Sequence, residues 1–219
     1  MTTVEHLLGK SRHIWQQYYV HPFVLGIQEG TLEQEKFRQY MIQDYLYLVD
    51  YTKTFAIGVA KANSIPTMQL FAGSIHTLTH TEMDIHRGYM GTLAITQEEI
   101  DTTKPALPNL SYTSYMLRQA YEGSVVEVLA SILSCAYSYE VIAKTMVQNR
   151  PECVDDALYG SWIRGYASDD YAEKNQVLIE MLNDWTKEYT EAQQQRLEDI
   201  FLACSEYELA FWDMAWMMK

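Results

Sequence analysis

Three side chains able to do chemistry stand where polar or reactive groups are unexpected, on the apolar faces of helices. Near the C-terminus, Leu197, Phe201, Cys204, Phe211 and Ala215 recur at three-four spacing, the stripe that turns a helix toward a core. Glu208 falls on the same stripe. A buried carboxylate is costly unless paired or hydrogen-bonded. Glu208 therefore either lies at the stripe edge and reaches solvent, or has a function. Earlier in the chain, Tyr40, Met41, Tyr47, Leu48 and Tyr51 share a face with Asp44. That carboxylate either rests on a tyrosine hydroxyl from another helix or joins Glu208 at one cavity, which a bundle can build from separate helices.

Cys135 is the third. It shares a face with Val128, Ser131, Ile132, Tyr139 and Ile142. A buried cysteine commonly behaves as a small hydrophobe. A reactive one needs a lowered thiolate pKa or a nearby base, because the free thiol titrates near roughly 8.5. Histidine is the usual base, but none of His6, His13, His21, His76, His80 and His86 shares a helix with Cys135. The Asp44 carboxylate remains a possible partner. Five of the 17 tyrosines, Tyr47, Tyr51, Tyr112, Tyr139 and Tyr166, fall on faces expected to be buried. Their hydroxyls need partners. They serve either as core architecture or as walls and rim for a flat heteroaromatic ligand.

A metal is the competing reading. His76, His80 and Asp84 recur every four residues, as do Glu82 and His86. The paired Glu-x-x-His sequences of a di-iron bundle are absent, so these histidines are expected in solvent or at an interface, with no metal. For haem, His13 or His21 could supply an axial ligand, but few clustered cations await its propionates.

Long helices must position these groups. Only 5 prolines and 10 glycines interrupt 219 residues, which favours helices over many short strands. The spacing predicts a first helix over about 3–19 and a second from an N-cap at Thr31, with Gln34 three residues on, to about Asn63. A third starts at Ser64-Ile65-Pro66 and ends near Gly91. Residues 92–110, holding Pro105 and Pro108, read as a connection with one short helix. Ser111 opens the next helix, interrupted at Gly123. Ser124 and Glu127 form a capping-box pattern before a helix to about Asn149. Further pieces begin at Pro151 and at Ser168-Asp169, and a last helix begins near Thr190. An all-α domain over residues 1–219 is expected.

The net charge of −13 and pI near 4.8 argue against nucleic-acid binding through a basic surface. An acidic field keeps a protein in solution and can attract a cationic small molecule. The 3 cysteines lack CxxC spacing, which suggests a reducing, cytoplasmic compartment without a disulfide framework. Neither a signal peptide nor a run of eighteen apolar residues is visible, so no membrane span is expected.

Six segments in order carry a resemblance. His21-Pro22-Phe23-Val24 with Gly26-Ile27, Gln43-Asp44-Tyr45-Leu46-Tyr47-Leu48 and Tyr112-Thr113-Ser114-Tyr115 come first. Cys135 with Tyr139, Trp162-Ile163 with Tyr166, and Tyr207-Glu208 with Phe211-Trp212-Asp213-Met214-Ala215 follow. Together they resemble the TenA/thiaminase II family, in its cysteine-containing branch, over almost the whole chain. The resemblance implies a haem-oxygenase-like all-α fold without haem, a homotetramer, and no cofactor. It implies hydrolysis of 4-amino-5-aminomethyl-2-methylpyrimidine, or of thiamin, to 4-amino-5-hydroxymethyl-2-methylpyrimidine, in thiamin salvage. Cys135 would then be the nucleophile, Glu208 a proton relay at a ring nitrogen and the amino group, and Asp44 a pyrimidine ligand that poises the thiol. Tyr47, Tyr139 and Phe211 would shape the pocket, and Tyr112 and Tyr166 would lend hydroxyls. A non-catalytic pyrimidine-binding regulator and a metal-dependent oxygenase on a related helical fold are the alternatives.

Overall fold

The computed structural model describes residues 1–218, except the side chains at positions 81, 82 and 84. The described residues form helices α1 (Thr3–Tyr19), α2 (Pro22–Glu29), α3 (Gln34–Lys61), α4 (Ile65–Thr77), α5 (Met83–Thr92) and α6 (Gln97–Thr102). Then come α7 (Leu107–Glu122), α8 (Val125–Asn149), α9 (Gly160–Ala167), α10 (Asp169–Trp185) and α11 (Glu191–Met217). A π turn, Leu78–Glu82, joins α4 to α5, and a 3-10 turn, Pro151–Asp155, follows α8.

Helix α8 is the axis of the molecule, packing against α3, α7, α9, α10 and α11. By length and composition it could cross a membrane, but 78% of its most apolar window is buried inside the bundle. That hydropathy belongs to a core helix. Helix α11 also touches α1, α3 and α7, and α4 packs against α3. Helices α3, α7, α8 and α11 thus enclose the centre, where stripes of apolar side chains meet.

Local signals set the boundaries. Ser124 caps α8: its hydroxyl accepts from Val126 N at 3.2 Å, and Glu127 accepts from Ser124 N at 2.8 Å. Thr190 and Gln193 do the same for α11. Such caps contribute about 1 kcal/mol each. Ser64 and Ser168 cap α4 and α10, as expected.

Two expected boundaries differ. Thr31 does not cap α3, whose N-cap is Glu33. Gly30 adopts a left-handed φ of 68°, the conformation that closes a helix C-terminus. The Thr31 amide is thereby used up in donating back to Gly26 O at 2.9 Å. Ser111 does not open α7, which starts a turn earlier at Leu107. Pro108 sits in that first turn, where a missing N–H costs nothing, so it begins the helix instead of preceding it.

Candidate active site

Asp44, Tyr47 and Tyr51 follow one another at i, i+3 and i+7 on α3, and so project from one face. Cys135 and Tyr139, four apart, do the same from α8. These faces meet Trp162 and Tyr166 of α9 and His86 of α5 around a cavity of about 550 Å³. That volume suits a small organic ligand. Tyr47 and Tyr51 stack at 5.3 Å on one side. On the other, Tyr139 packs on Tyr166 at 4.8 Å and Trp162 at 5.8 Å. Aromatic rings facing a gap form a slot for a flat ring.

Glu208, Tyr112 and Phe211 are not among the residues lining that cavity. Glu208 stands directly behind it, 2% exposed, with its carboxyl facing the Cys135 thiol and the hydroxyls of Tyr112 and Tyr139. Phe211 backs Tyr47 at 5.7 Å. Tyr112 is fully buried; its hydroxyl approaches Glu208 without closing a full hydrogen bond. Cys135 and Asp44, on separate helices, both reach the cavity, at 8% and 4% exposure.

Burial is the main cause that pushes the Glu208 carboxyl up to about 8, and the nearby Asp44 charge adds to it. The Tyr112, Tyr139 and Cys135 groups pull it back by less. At neutral pH Glu208 therefore holds a proton beside the thiol. A carboxyl that titrates near the working pH is suited to giving and taking protons. One turn earlier, burial drives the Cys204 thiol well above its ordinary value, which leaves that group inert.

The backbone around these groups is braced. The Ser134 and Ser205 hydroxyls meet at 3.0 Å, tying α8 to α11 next to Cys135 and one turn before Glu208. Trp15 Nε1 donates to Ser205 Oγ at 3.0 Å, and the Tyr18 hydroxyl donates to Ser205 O at 2.6 Å. Helix α1 thereby holds α11 and, through the Ser134–Ser205 pair, α8 as well.

His86 is the correction. Expected in solvent or at an interface, it is 4% exposed and donates from Nε2 to Asp44 Oδ2 at 2.9 Å. A buried carboxylate on a cavity wall requires such a partner. Of its companions in the metal reading, His76 and His80 are exposed, their rings tilted against each other at 4.2 Å. The side chains of Glu82 and Asp84 lie outside the described residues. His21 caps α2, accepting from Phe23 N at 3.2 Å while its Nε2 faces Asp213.

Residues 8–218 match the profile of the TENA/THI-4/PQQC family. A Helicobacter pylori relative named aminopyrimidine aminohydrolase is 43% identical over 216 residues, which cover 99% of each chain. Among solved structures, a TenA homologue protein from P. horikoshii OT3 superposes with a TM-score of 0.90 at 31% identity, covering 100% of both chains. A domain with a heme oxygenase-like fold from Shewanella denitrificans matches with a TM-score of 0.78. It covers 98% of this chain and 92% of its own, at an identity of 14% that speaks for the fold alone. The all-α, haem-oxygenase-like architecture expected from the sequence is the one found.

Proposed function

The chain belongs to the TENA/THI-4/PQQC family, and from that premise we propose that it is an aminopyrimidine aminohydrolase, a hydrolase of thiamin metabolism that works through Cys135. One juxtaposition carries the reading. A thiol and a carboxylate, Cys135 and Asp44, open into one aromatic-walled cavity, and a protonated carboxyl, Glu208, stands against the thiol. A purely structural core has no use for that set, because burying its two carboxyl groups costs free energy.

The substrate is a 4-amino-5-aminomethyl-2-methylpyrimidine, its ring held between the tyrosine pairs. Asp44, fixed by His86, accepts hydrogen bonds from the substrate's N–H groups. The Cys135 thiolate adds to the electron-poor ring, and Glu208 gives its proton to a ring nitrogen, which makes the addition easier. Electrons return through the ring and expel the substituent from the exocyclic methylene, as ammonia or, from thiamin, as the thiazole. Water adds to that methylene and gives up a proton to the released amine or, with thiamin, to solvent; the ring proton returns to Glu208 and the thiolate leaves, giving the hydroxymethylpyrimidine. Covalent catalysis here divides one hard displacement into easier steps.

The test is incubation with the aminomethylpyrimidine and with thiamin, reading hydroxymethylpyrimidine by chromatography. Cys135→Ser should abolish product while pyrimidine affinity stays within about tenfold, roughly 1.4 kcal/mol. Product at the wild-type rate from that variant removes the covalent step. A homotetramer belongs to the same reading: the exposed apolar Val49, Ile65 and Ile85 along α3–α5 are surface that such an assembly would cover. So does a cytoplasmic location, which suits three cysteines outside any disulfide.

A further inference from the structure

Tyr40 is fully buried and does not reach the cavity, yet its hydroxyl joins two residues that do. Trp162 Nε1 lies 3.3 Å from Tyr40 Oη, and Tyr40 Oη lies 3.3 Å from Tyr139 Oη. An indole N–H can only donate. The Tyr40 oxygen must therefore accept from Trp162, and the remaining Tyr40 proton needs an acceptor. Among the described residues its hydroxyl has one other partner, the Tyr139 oxygen. Tyr139 accepts that hydrogen bond, which leaves its own proton to point toward the Glu208 carboxyl, which it faces. The indole thus fixes the direction of both of these hydrogen bonds.

We propose that Tyr40 is a positioning residue for the reaction: it holds the Tyr139 hydroxyl as an obligate donor to the Glu208 carboxyl. A donor held on a carboxylate favours its charged form. The row therefore counters the desolvation of Glu208 and keeps that group able to both give and regain its proton. Without Tyr40, the Tyr139 hydroxyl is free to turn and accept from a protonated Glu208, which favours the opposite form. The role rests on the reading of Glu208 as the proton relay.

Other groups also face Glu208. They are Asp44 and Tyr47 from α3, Tyr18 from α1 and Tyr112 from α7. Cys135 faces it from α8, and Cys204 lies one turn away on α11. A Tyr40→Phe change leaves all of these in place and keeps the ring, which stacks on Trp212 at 5.7 Å. A shift in titration then reports the hydrogen-bonded row.

The experiment compares wild type and Tyr40→Phe in two profiles: kcat/KM against pH, and the rate of Cys135 alkylation by iodoacetamide against pH, with modified peptides identified by mass. The alkylation profile needs no substrate, and the thiol touches Glu208, so it carries that group's inflection. The expected result is an upward move of the alkaline limb in both profiles by about half a pH unit, the size of one modest hydrogen bond. A uniform fall in rate with both profiles unmoved overturns the proposal, because that is what lost packing alone would do. If wild type releases no hydroxymethylpyrimidine while the alkylation inflection still moves, the hydrolase reading falls, and only the row of hydrogen bonds that tunes Glu208 stands. Should Tyr40→Phe fail to fold, 3-fluorotyrosine at position 40 keeps the shape and donates more strongly. It should move the inflection downward, and an upward or absent shift counts against the proposal.

Discussion

Glu208 should set the pH dependence of stability as well as of the proposed catalysis. Its folded-state pKa, raised to about 8 by burial first and Asp44 second, lies above the ordinary carboxylate value near ~4.3. Between those values the folded protein keeps a proton that the unfolded chain has released. Stability must then fall as pH rises through that window, and the whole penalty is present above about 8. Glu208→Gln removes the titration. Near about pH 5 its stability should match wild type; near about pH 9 it should be higher, by on the order of a few kcal/mol at most. Its hydrolysis rate should drop strongly at both. Parallel melting curves for the two proteins across that range would defeat the assignment of a buried, protonated Glu208. His86 makes the opposite kind of contribution. His86→Leu leaves the Asp44 carboxylate buried without the imidazole that meets it at 2.9 Å, a loss of about 3 kcal/mol in denaturant titration. Adding Asp44→Asn should restore much of it. An additive double variant would mean that the pair is not coupled.

At the scale of elements, the close crossing of α3 and α4 is set by Gly58. A Cβ there would sit 2.8 Å from Phe71 Cδ1, and the Phe71 ring is fully buried and cannot retreat. Gly58→Ala should cost about 1–3 kcal/mol, a fall of roughly 2–4 °C in Tm per kcal/mol for a chain of this size. Because α4 brings Leu70 and Ser74 to the cavity, pyrimidine affinity should weaken with it. Phe71→Leu in the same chain should recover both, and failure to recover would place the strain elsewhere. The same elements separate what sequence could tell from what it could not. Capping boxes at Ser124 and Thr190 act through neighbours in sequence, so α8 and α11 were legible nearly to the residue. The stripes holding Asp44, Cys135 and Glu208 were legible too, because each departs from an apolar pattern on its own helix. Thr31 was misread because its amide serves the helix before it. His86 was missed because its partner is 42 positions away. The π turn before α5 also breaks the three-four phase on which its expected face depended. The layering of Glu208 behind the wall, with Phe211 and Tyr112, depends on how α7, α8 and α11 pack, and no local spacing encodes that.

The whole molecule carries a formal charge of −13, so a homotetramer would bring four strongly acidic surfaces together. Two forces then oppose each other. Burial of exposed apolar side chains such as Ile65, 64% exposed in the single chain, favours assembly and is not weakened by salt. Repulsion between like-charged subunits disfavours it and fades as salt shortens the screening length, about 8 Å at physiological ionic strength. Assembly should therefore tighten as salt rises. Light scattering coupled to size exclusion in about 0.3 M salt should give four times the chain mass of 25.4 kDa. At about 0.01 M salt, where the screening length grows to about 30 Å, smaller species should appear on dilution. Ile65→Glu should produce smaller species at every salt concentration without changing the helical circular dichroism, since that side chain takes little part in the core of its own chain. A single-chain mass under all conditions would mean that Val49, Ile65 and Ile85 are ordinary surface. Each cavity would then have to bind and turn over its pyrimidine without help from a neighbouring copy.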